Sequence, residues 1–202
     1  MTSAEKRPYR MKARAEAQER TRLRIAESAV ALHATLGPAR TSISAVADHA
    51  GVRRSTLYRH FPDEQALFSA CSSLWSERNP LPDLAEWAAV ADPRERLEHA
   101  LTQLYAYYGS VEQMLSNLIR DAETVPAMQH EFAQFRRYFE GAHEVLVTGW
   151  PRRGRAGVLT RAGIGHALAF PTWRSLVREQ ALSDAEAVKF MCSAVAAPSQ
   201  AT

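Results

Sequence analysis

Residues 50–61 read AGVRRSTLYRHF, and they concentrate hydrogen-bond donors in a very short segment. Three arginines, a histidine, a tyrosine and two hydroxyl residues surround a few apolar positions. Gly51 favours a tight turn because glycine adopts positive φ at little steric cost. A short basic helix from about Arg54 to His60 is predicted to follow, with Leu57 and Phe61 turned inward at i and i+4. The segment therefore predicts a basic helix held on a small core.

The sequence around this stretch has helical periodicity, and no part of it reads convincingly as a strand. A first helix is predicted from about Ala15, and Gly37-Pro38 stops it. Thr41 and Ser42 are candidate caps for a second, short helix. A fourth helix is predicted from about Glu64 towards Glu77. The predicted fold class is all-α.

The remainder of the chain carries explicit helix start and stop signals. Asp92 to Glu95 combine an N-cap, a proline at the first helical position and a capping-box carboxylate, and Gly109 is predicted to end that helix. New helices are predicted from Ser110 and from Pro126. The last two helices are predicted over about 155–180, with a kink at Pro171, and over 184–197, with a cap from Ser183 to Glu186.

Charge is distributed unevenly along the chain, although the net charge is only +3. Residues 1–61 carry a net charge of +7, whereas the remaining residues carry −4. This asymmetry favours a polyanion as the partner of the N-terminal third. Residues 1–14 are polar and basic without helical periodicity, so they are predicted to form a disordered arm. That arm is expected either to track phosphates and enter a minor groove, or to be an ordinary solvated tail.

Composition and motifs argue against several classes of protein. The polar N-terminus does not resemble a signal peptide, and no apolar run is long enough for a membrane span, so a cytoplasmic protein without a membrane partner is expected. Cys71 and Cys192 match no metal or redox spacing and are expected to be small buried hydrophobes. The seven histidines form no metal-binding or catalytic motif. No enzyme activity, cofactor or metal site is predicted.

Two short helices joined by a glycine turn, with the second one basic, are typical of a helix-turn-helix unit. In that unit the second helix lies in the major groove of DNA, where arginine can bind guanine through two hydrogen bonds. The segment from Thr21 to Phe68 resembles the DNA-binding domain of TetR-family transcriptional regulators. The residues that carry the resemblance are Ile25, Ala29, Gly37, Thr41-Ser42, Ala50-Gly51-Val52, Thr56-Leu57-Tyr58, His60-Phe61 and Leu67.

The resemblance implies a role for each residue that matches the family's DNA-binding motif. It places Thr41 and Ser42 at the phosphate-facing start of the second helix. It turns Arg54, Ser55, Thr56 and Arg59 towards the groove, and Tyr58 and His60 towards the DNA backbone. Arg53, Glu64 and His33 depart from the family pattern. Arg53 replaces a helix cap and is expected to add a phosphate or base contact; Glu64 replaces a common lysine; His33 is expected to be a core-facing variant.

Beyond Phe68 the resemblance implies a helical domain that binds an effector and forms the dimer. The candidate effector-binding residues are Tyr105, Tyr108, Met114, Leu118, Phe135, Phe139 and Trp173, for which ordinary core packing is the alternative. One short reading helix makes few contacts, so a homodimer on a palindromic operator is expected. The candidate dimer residues on the last two helices are Gly157, Ile164, Ala167, Leu168 and Val188.

These expectations divide the chain into a basic arm (1–14), a helix-turn-helix domain (15–62), a ligand-binding and dimerisation domain (63–197) and a tail (198–202). The predicted function is a ligand-responsive repressor that binds double-stranded DNA and responds to a small-molecule effector. One alternative is a helical small-molecule carrier or sensor whose DNA binding is weakened at Arg53 and Glu64. Another is a dimeric DNA-binding protein without an effector.

Overall fold

A computed structural model of the chain describes residues 3–150 and 153–199, and all regular structure within these ranges is helical, as predicted. Short helical turns follow three of the helices at Pro38–Arg40, Ser175–Glu179 and Ala197–Ser199. The helices are α1 (Ser3–Thr35), α2 (Ile43–His49), α3 (Arg54–His60), α4 (Glu64–Arg78), α5 (Leu84–Ala89), α6 (Pro93–Asp121), α7 (Met128–Val147), α8 (Gly154–Ala167), α9 (Phe170–Arg174) and α10 (Asp184–Ala196).

The chain forms two compact units, and each is built from two separate segments. Unit 1 comprises Met1–Asn79 and Gln113–Phe132, and unit 2 comprises Pro80–Glu112 and Ala133–Thr202. The predicted domains divide the chain between residues 62 and 63, which is a different place. The reason is that α4 packs on α1, and the residues around the end of α6 pack on the same core. Residues 200–202 of the predicted tail lie outside the described ranges.

The core of unit 1 joins the first four helices through apolar side chains that range from alanine to phenylalanine. Ile25 and Ala29 lie one helical turn apart on α1, and both are fully buried. Val46 and Ala47 of α2 pack against them from the second helix. Residues from α3, α4 and the segment after α6 complete this core: Leu57, Phe61, Leu67, Phe68, Cys71 and Met128. His33 is also buried, at 5.5 Å between ring centroids from Phe68, as expected of a core-facing variant.

Helix α1 begins earlier than predicted. It starts at Ser3 rather than at about Ala15, so the prediction of a disordered arm over residues 1–14 is wrong for the described part. The segment lacks apolar periodicity, but it is rich in alanine, lysine, arginine and glutamate, which are good helix formers. Extending an existing helix is far easier than nucleating a new one, so such a segment continues the helix without a core to cover.

A polar cluster from the end of α6 holds the turn that follows α1. The side-chain amide of Asn117 donates to the carbonyls of His33 and Ala34, at 3.1 and 2.8 Å. The Asp121 carboxylate accepts a 3.0 Å hydrogen bond from the backbone N–H of Ala39, and the Arg120 guanidinium pairs with that carboxylate at 2.7 Å. The Asn117 contact satisfies the Ala34 carbonyl, which the helix end leaves without an intrahelical partner, and the Asp121 contact holds a backbone N–H of the turn.

Aromatic side chains fill much of unit 2. The Tyr108 ring contacts Phe170 and Trp173 at centroid distances of 5.3 and 5.9 Å. The hydroxyls of Tyr105 and Tyr108 donate to the carbonyls of Ala167 and Leu168, respectively, at the end of α8. Tyr105 and Tyr108 of α6 are therefore fixed both by packing and by hydrogen bonds.

Two predicted helix boundaries in unit 2 are wrong. Gly109 does not end a helix, because α6 runs unbroken from Pro93 to Asp121. A Cβ at Gly109 would lie 3.7 Å from the Trp173 ring. This glycine therefore lies within a continuous helix, at a position where the helix packs closely against the indole. The helix predicted over about 155–180 is divided at Leu168 and Ala169, and Pro171 lies in the first turn of α9, where a proline costs no backbone hydrogen bond. The predicted capping box between Ser183 and Glu186 is present.

Candidate nucleic-acid interface

Helices α2 and α3 are joined by the tight turn that the sequence predicts. Gly51 adopts φ = +63°, the left-handed conformation that glycine accepts readily. The backbone N–H of Val52 donates to the carbonyl of Ala47 at 2.9 Å and closes the turn. Ala50 before the turn is buried, so the turn is tied to the core of unit 1. This geometry fixes the direction in which α3 leaves α2.

Helix α3 has one fully buried face and one exposed polar face. Leu57 and Phe61 are 0% exposed, whereas Tyr58 is 41% exposed. Thr56 and His60 are half-buried at the edges of the helix. The exposed residues on and before α3 are Arg53, Arg54, Ser55, Tyr58 and Arg59. The buried pair therefore presents the predicted donor side chains to solvent as one basic surface.

The two N-cap positions differ in their chemistry. The hydroxyl of Ser42 accepts a 3.1 Å hydrogen bond from the backbone N–H of Ala45 and caps α2. Thr41 instead donates its hydroxyl to the carbonyl of Gly37 at 2.8 Å. At the start of α3, the side chain of Arg53 makes no capping hydrogen bond to any described residue. The exposed guanidinium of Arg53 therefore extends the basic surface instead of capping the helix.

Arg54 and Tyr58 lie one turn apart on α3 and contact each other. The Arg54 guanidinium is 6.0 Å from the centre of the Tyr58 ring, at the outer limit of a cation–π contact. On the other side, Arg22 of α1 lies 4.5 Å from the Phe61 ring centre and donates to the carbonyl of His60 at 3.1 Å. Arg22 therefore anchors the end of α3, a role that the sequence did not indicate.

The start of α4 carries two carboxylates. Asp63 is the N-cap and accepts a 2.7 Å hydrogen bond from the backbone N–H of Ala66, and Glu64 lies in the first turn. Both suit the positive end of the helix dipole. Glu64 is exposed, and its predicted effect on DNA binding stays a prediction.

The predicted effector-binding residues are divided between the two units. Tyr105, Tyr108 and Trp173 are buried together in unit 2. Phe135 and Phe139 contact each other along α7, with centroids 4.8 Å apart and ring planes inclined at 60°. Met114 and Leu118 belong to unit 1, where Leu118 packs on the core beneath α2 and α3. The set therefore divides into three groups.

The predicted dimer residues all lie inside the fold of the single chain. Gly157, Ile164, Ala167, Leu168 and Val188 are buried. A Cβ added to Gly163 would lie 3.3 Å from the Val195 side chain, so the small residues of α8 serve contact with α10. The exposed apolar residues of these helices are different ones, namely Val158, Leu159 and Phe190. Both α8 and α10 carry apolar residues on two faces. Helical spacing alone therefore could not show which face is buried within the chain and which is exposed to solvent.

Other kinds of site find little support in the described part of the chain. No group of three or more histidine, cysteine or acidic side chains there could hold a metal ion. None of the described helices is long and apolar enough to cross a membrane.

A short basic helix, seated on a compact core after a glycine turn, defines a helix-turn-helix DNA-binding domain. Residues 25–71 match the family described as bacterial regulatory proteins, tetR family. The matched segment covers 47 of the 202 residues and contains α2, the glycine turn and α3. No curated protein matches it.

Solved structures share the fold over most of the chain. A TetR-like transcriptional regulator from Rhodococcus sp. RHA1 is 20% identical with a TM-score of 0.65, and the match covers 90% of this chain and 97% of that one. The TetR family transcriptional regulator PfmR from Thermus thermophilus is 18% identical with a TM-score of 0.59, over 85% of this chain and 96% of that one. At these identities the two matches show the fold of both units.

Proposed function

We propose that the chain is a homodimeric repressor whose paired α3 helices bind a palindromic operator in adjacent major grooves. A small, apolar or aromatic effector bound in unit 2 releases the DNA. The observation that carries the proposal is the two-faced packing of α3, with Leu57 and Phe61 fully buried and the arginines outside. Guanidinium groups presented in this way suit guanine edges and phosphates.

A dimer is supported by the size of the reading helix and by the surface of unit 2. Helix α3 has only 7 residues, so one copy reaches few base pairs. Two copies related by a two-fold axis read two half-sites about one turn of DNA apart, ~34–36 Å. Val158 and Phe190 are 57% and 55% exposed on α8 and α10, two helices that pack on each other and could together offer a partner an apolar surface.

A buried hydroxyl supports an effector site in unit 2. Tyr107 is almost fully buried, yet its hydroxyl has no hydrogen-bond partner among the described residues. Leaving such a group unsatisfied costs roughly 1–3 kcal/mol. Burial raises the pKa of Tyr107 to about 12, so the hydroxyl stays a donor at neutral pH. An effector that offers an acceptor atom beside an apolar body would satisfy this hydroxyl.

The proposal is tested by selecting bound sequences from a random duplex pool at moderate salt. An enriched palindrome would support specific dimeric recognition and provide the operator for effector screening. Salt-sensitive binding without enrichment would mean that the helix-turn-helix contacts only phosphates. That result would favour the alternative function, a helical small-molecule carrier or sensor. If the operator is bound but no small molecule shifts the melting temperature or releases DNA, the effector part of the proposal fails.

Two substitutions on α3 separate base reading from backbone contact. Arg54→Ala is expected to relax the preference at one base-pair position by ~1–3 kcal/mol, because it removes a base contact. Tyr58→Phe removes only a hydroxyl and is expected to weaken binding to all duplexes to a similar extent. Competition binding with single-base operator variants measures both effects. Identical changes in specificity for the two variants would contradict these assignments.

Phe190→Asp is expected to raise the dissociation constant of the dimer at least ~100-fold, because it places a charge against the partner's apolar surface. Sedimentation equilibrium measures the change. Leu36→Asp, at an exposed leucine of unit 1, is the matched control and should leave the dimer intact. An unchanged dimer in Phe190→Asp would exclude this side of α10 as the interface.

A further inference from the structure

A cleft in unit 1 lies between α1 and the end of α3. Its volume is about 290 Å³, and it is open to solvent. One wall comes from α1 and the other from the last two residues of α3. The lining residues are Arg14, Ala17, Gln18, Thr21, Arg59 and His60.

The cleft is built of hydrogen-bond donors and positive charge. Arg14 and Arg59 are both exposed, and neither forms a salt bridge with a described residue. Gln18 adds an exposed amide to the lining of the cleft. The Thr21 hydroxyl donates to the carbonyl of Ala17 at 2.9 Å. Thr21 therefore forms part of the wall but does not donate a hydrogen bond into the cleft.

The electrostatic field at His60 agrees with this description. Partial burial and the positive charges of Arg59 and Arg22 lower the pKa of His60, while Glu19 opposes them. Two cations therefore outweigh one carboxylate at this wall. An anion that enters the cleft would reverse the balance and raise the pKa of His60.

We propose that this cleft binds a phosphodiester group of the DNA backbone beside the groove that α3 enters. The guanidinium groups of Arg14 and Arg59 each offer paired N–H donors that match two phosphate oxygens. The inference rests on the proposed function, since the bound phosphodiester belongs to the DNA that α3 reads. This proposal makes α1 part of the DNA interface through Arg14. The sequence predicts that residue as the end of a disordered arm, whereas the structure places it within a helix.

A phosphodiester is favoured over a free anion because the cleft shares Arg59 and His60 with the reading helix. DNA seated on α3 would bring its backbone to the end of that helix. A free phosphate would gain nothing from this placement.

The test compares Arg14→Gln with Lys12→Gln. Lys12 lies on the same exposed stretch of α1 but two residues away, on the opposite side of the helix. Each variant removes one positive charge, and circular dichroism checks that both keep their helix content. Affinity is measured over a salt series for the selected operator and for an unrelated duplex of equal length.

Arg14→Gln is expected to reduce the log–log salt slope by about 0.9 on both duplexes and to weaken binding about eightfold at 0.1 M salt, the effect of one lost phosphate contact. The ratio of operator to unrelated affinity should not change, because a phosphate contact carries no sequence information. Lys12→Gln should keep a slope close to that of the unsubstituted protein.

Equal slopes for Arg14→Gln and the unsubstituted protein would overturn the proposal, as would equal reductions in the two variants. A second measurement follows the imidazole of His60 by NMR during a pH titration. Unrelated duplex should raise its pKa. If inorganic phosphate raises it and duplex does not displace that phosphate, the cleft binds a free anion and the proposal is wrong.

Failure of the proposed function would look different. The unsubstituted protein would then show no operator preference, yet the unrelated duplex would still report whether Arg14 contributes one phosphate contact. The cleft and the repressor function are therefore judged by separate observations.

Discussion

Gly37→Ala is expected to lower the free energy of unfolding of unit 1 by about 3 kcal/mol. Gly37 adopts φ = +91° and ψ = 156°, a conformation that is essentially restricted to glycine and costs other residues roughly 1–3 kcal/mol. A Cβ there would also overlap the Arg120 guanidinium and lie 2.5 Å from a carboxylate oxygen of Asp121. Moving those groups weakens their hydrogen bonds to Leu36 and Ala39, at about 1 kcal/mol each.

Gly51→Ala provides a control that carries only the backbone strain. Gly51 also has positive φ, but apart from its own backbone and its two chain neighbours no described atom lies within 4 Å of the place that its Cβ would occupy. Its expected cost is about 1 kcal/mol, the penalty of the left-handed conformation. Hydrogen exchange read by mass spectrometry over unit 1 measures both changes locally. If the two substitutions lowered the free energy of unfolding equally, the side chains of Asn117, Arg120 and Asp121 would be able to move aside without weakening their hydrogen bonds.

Leu57→Ala is expected to destabilise unit 1 by about 2–5 kcal/mol, the usual range for a buried leucine that leaves a cavity. Leu57 is fully buried beneath the reading surface, so its loss also frees α3 from the core. We therefore expect DNA affinity to fall even though Leu57 faces away from DNA. Denaturant unfolding and operator binding, measured on the same samples, link the two effects.

Leu23→Ala is the matched control for that substitution. Leu23 is 43% exposed on α1 in the same unit, so its replacement is expected to change stability by no more than about 0.5 kcal/mol. If both leucine variants unfolded at the same denaturant concentration, α3 would not be held by the packing described for it.

Local signals predicted the reading helix well. The turn at Gly51, the cap at Ser42 and the inward pair Leu57 and Phe61 depend on neighbours within a few residues, so the sequence alone locates them. The capping box at Ser183 is predicted for the same reason. Each of these features satisfies backbone hydrogen-bonding groups or places apolar residues one helical turn apart, so it can be predicted without knowing which distant residues lie nearby.

Tertiary contacts decided what the sequence could not. Gly109 is a stop signal in isolation, but it continues α6 beside Trp173. Leu118 has the spacing of a pocket residue, yet it covers the core of unit 1. The sequence did not indicate the roles of Asn117 and Asp121, because the backbone groups that they hold lie more than 80 positions earlier in the chain. The orphan hydroxyl of Tyr107 is likewise visible only once its surroundings are known.

The two-segment composition of unit 1 has a consequence for how this protein can be divided or recombined. The chain passes between the units after Asn79, after Glu112 and after Phe132. A fragment that ends at Asn79 would retain α3 in full but would lack Met128, which is fully buried in the same core. Exchange of DNA-reading modules between relatives would therefore have to carry the segment 113–132 along with the first 79 residues. Substitutions confined to the exposed face of α3, by contrast, leave both segments of unit 1 and their shared core in place.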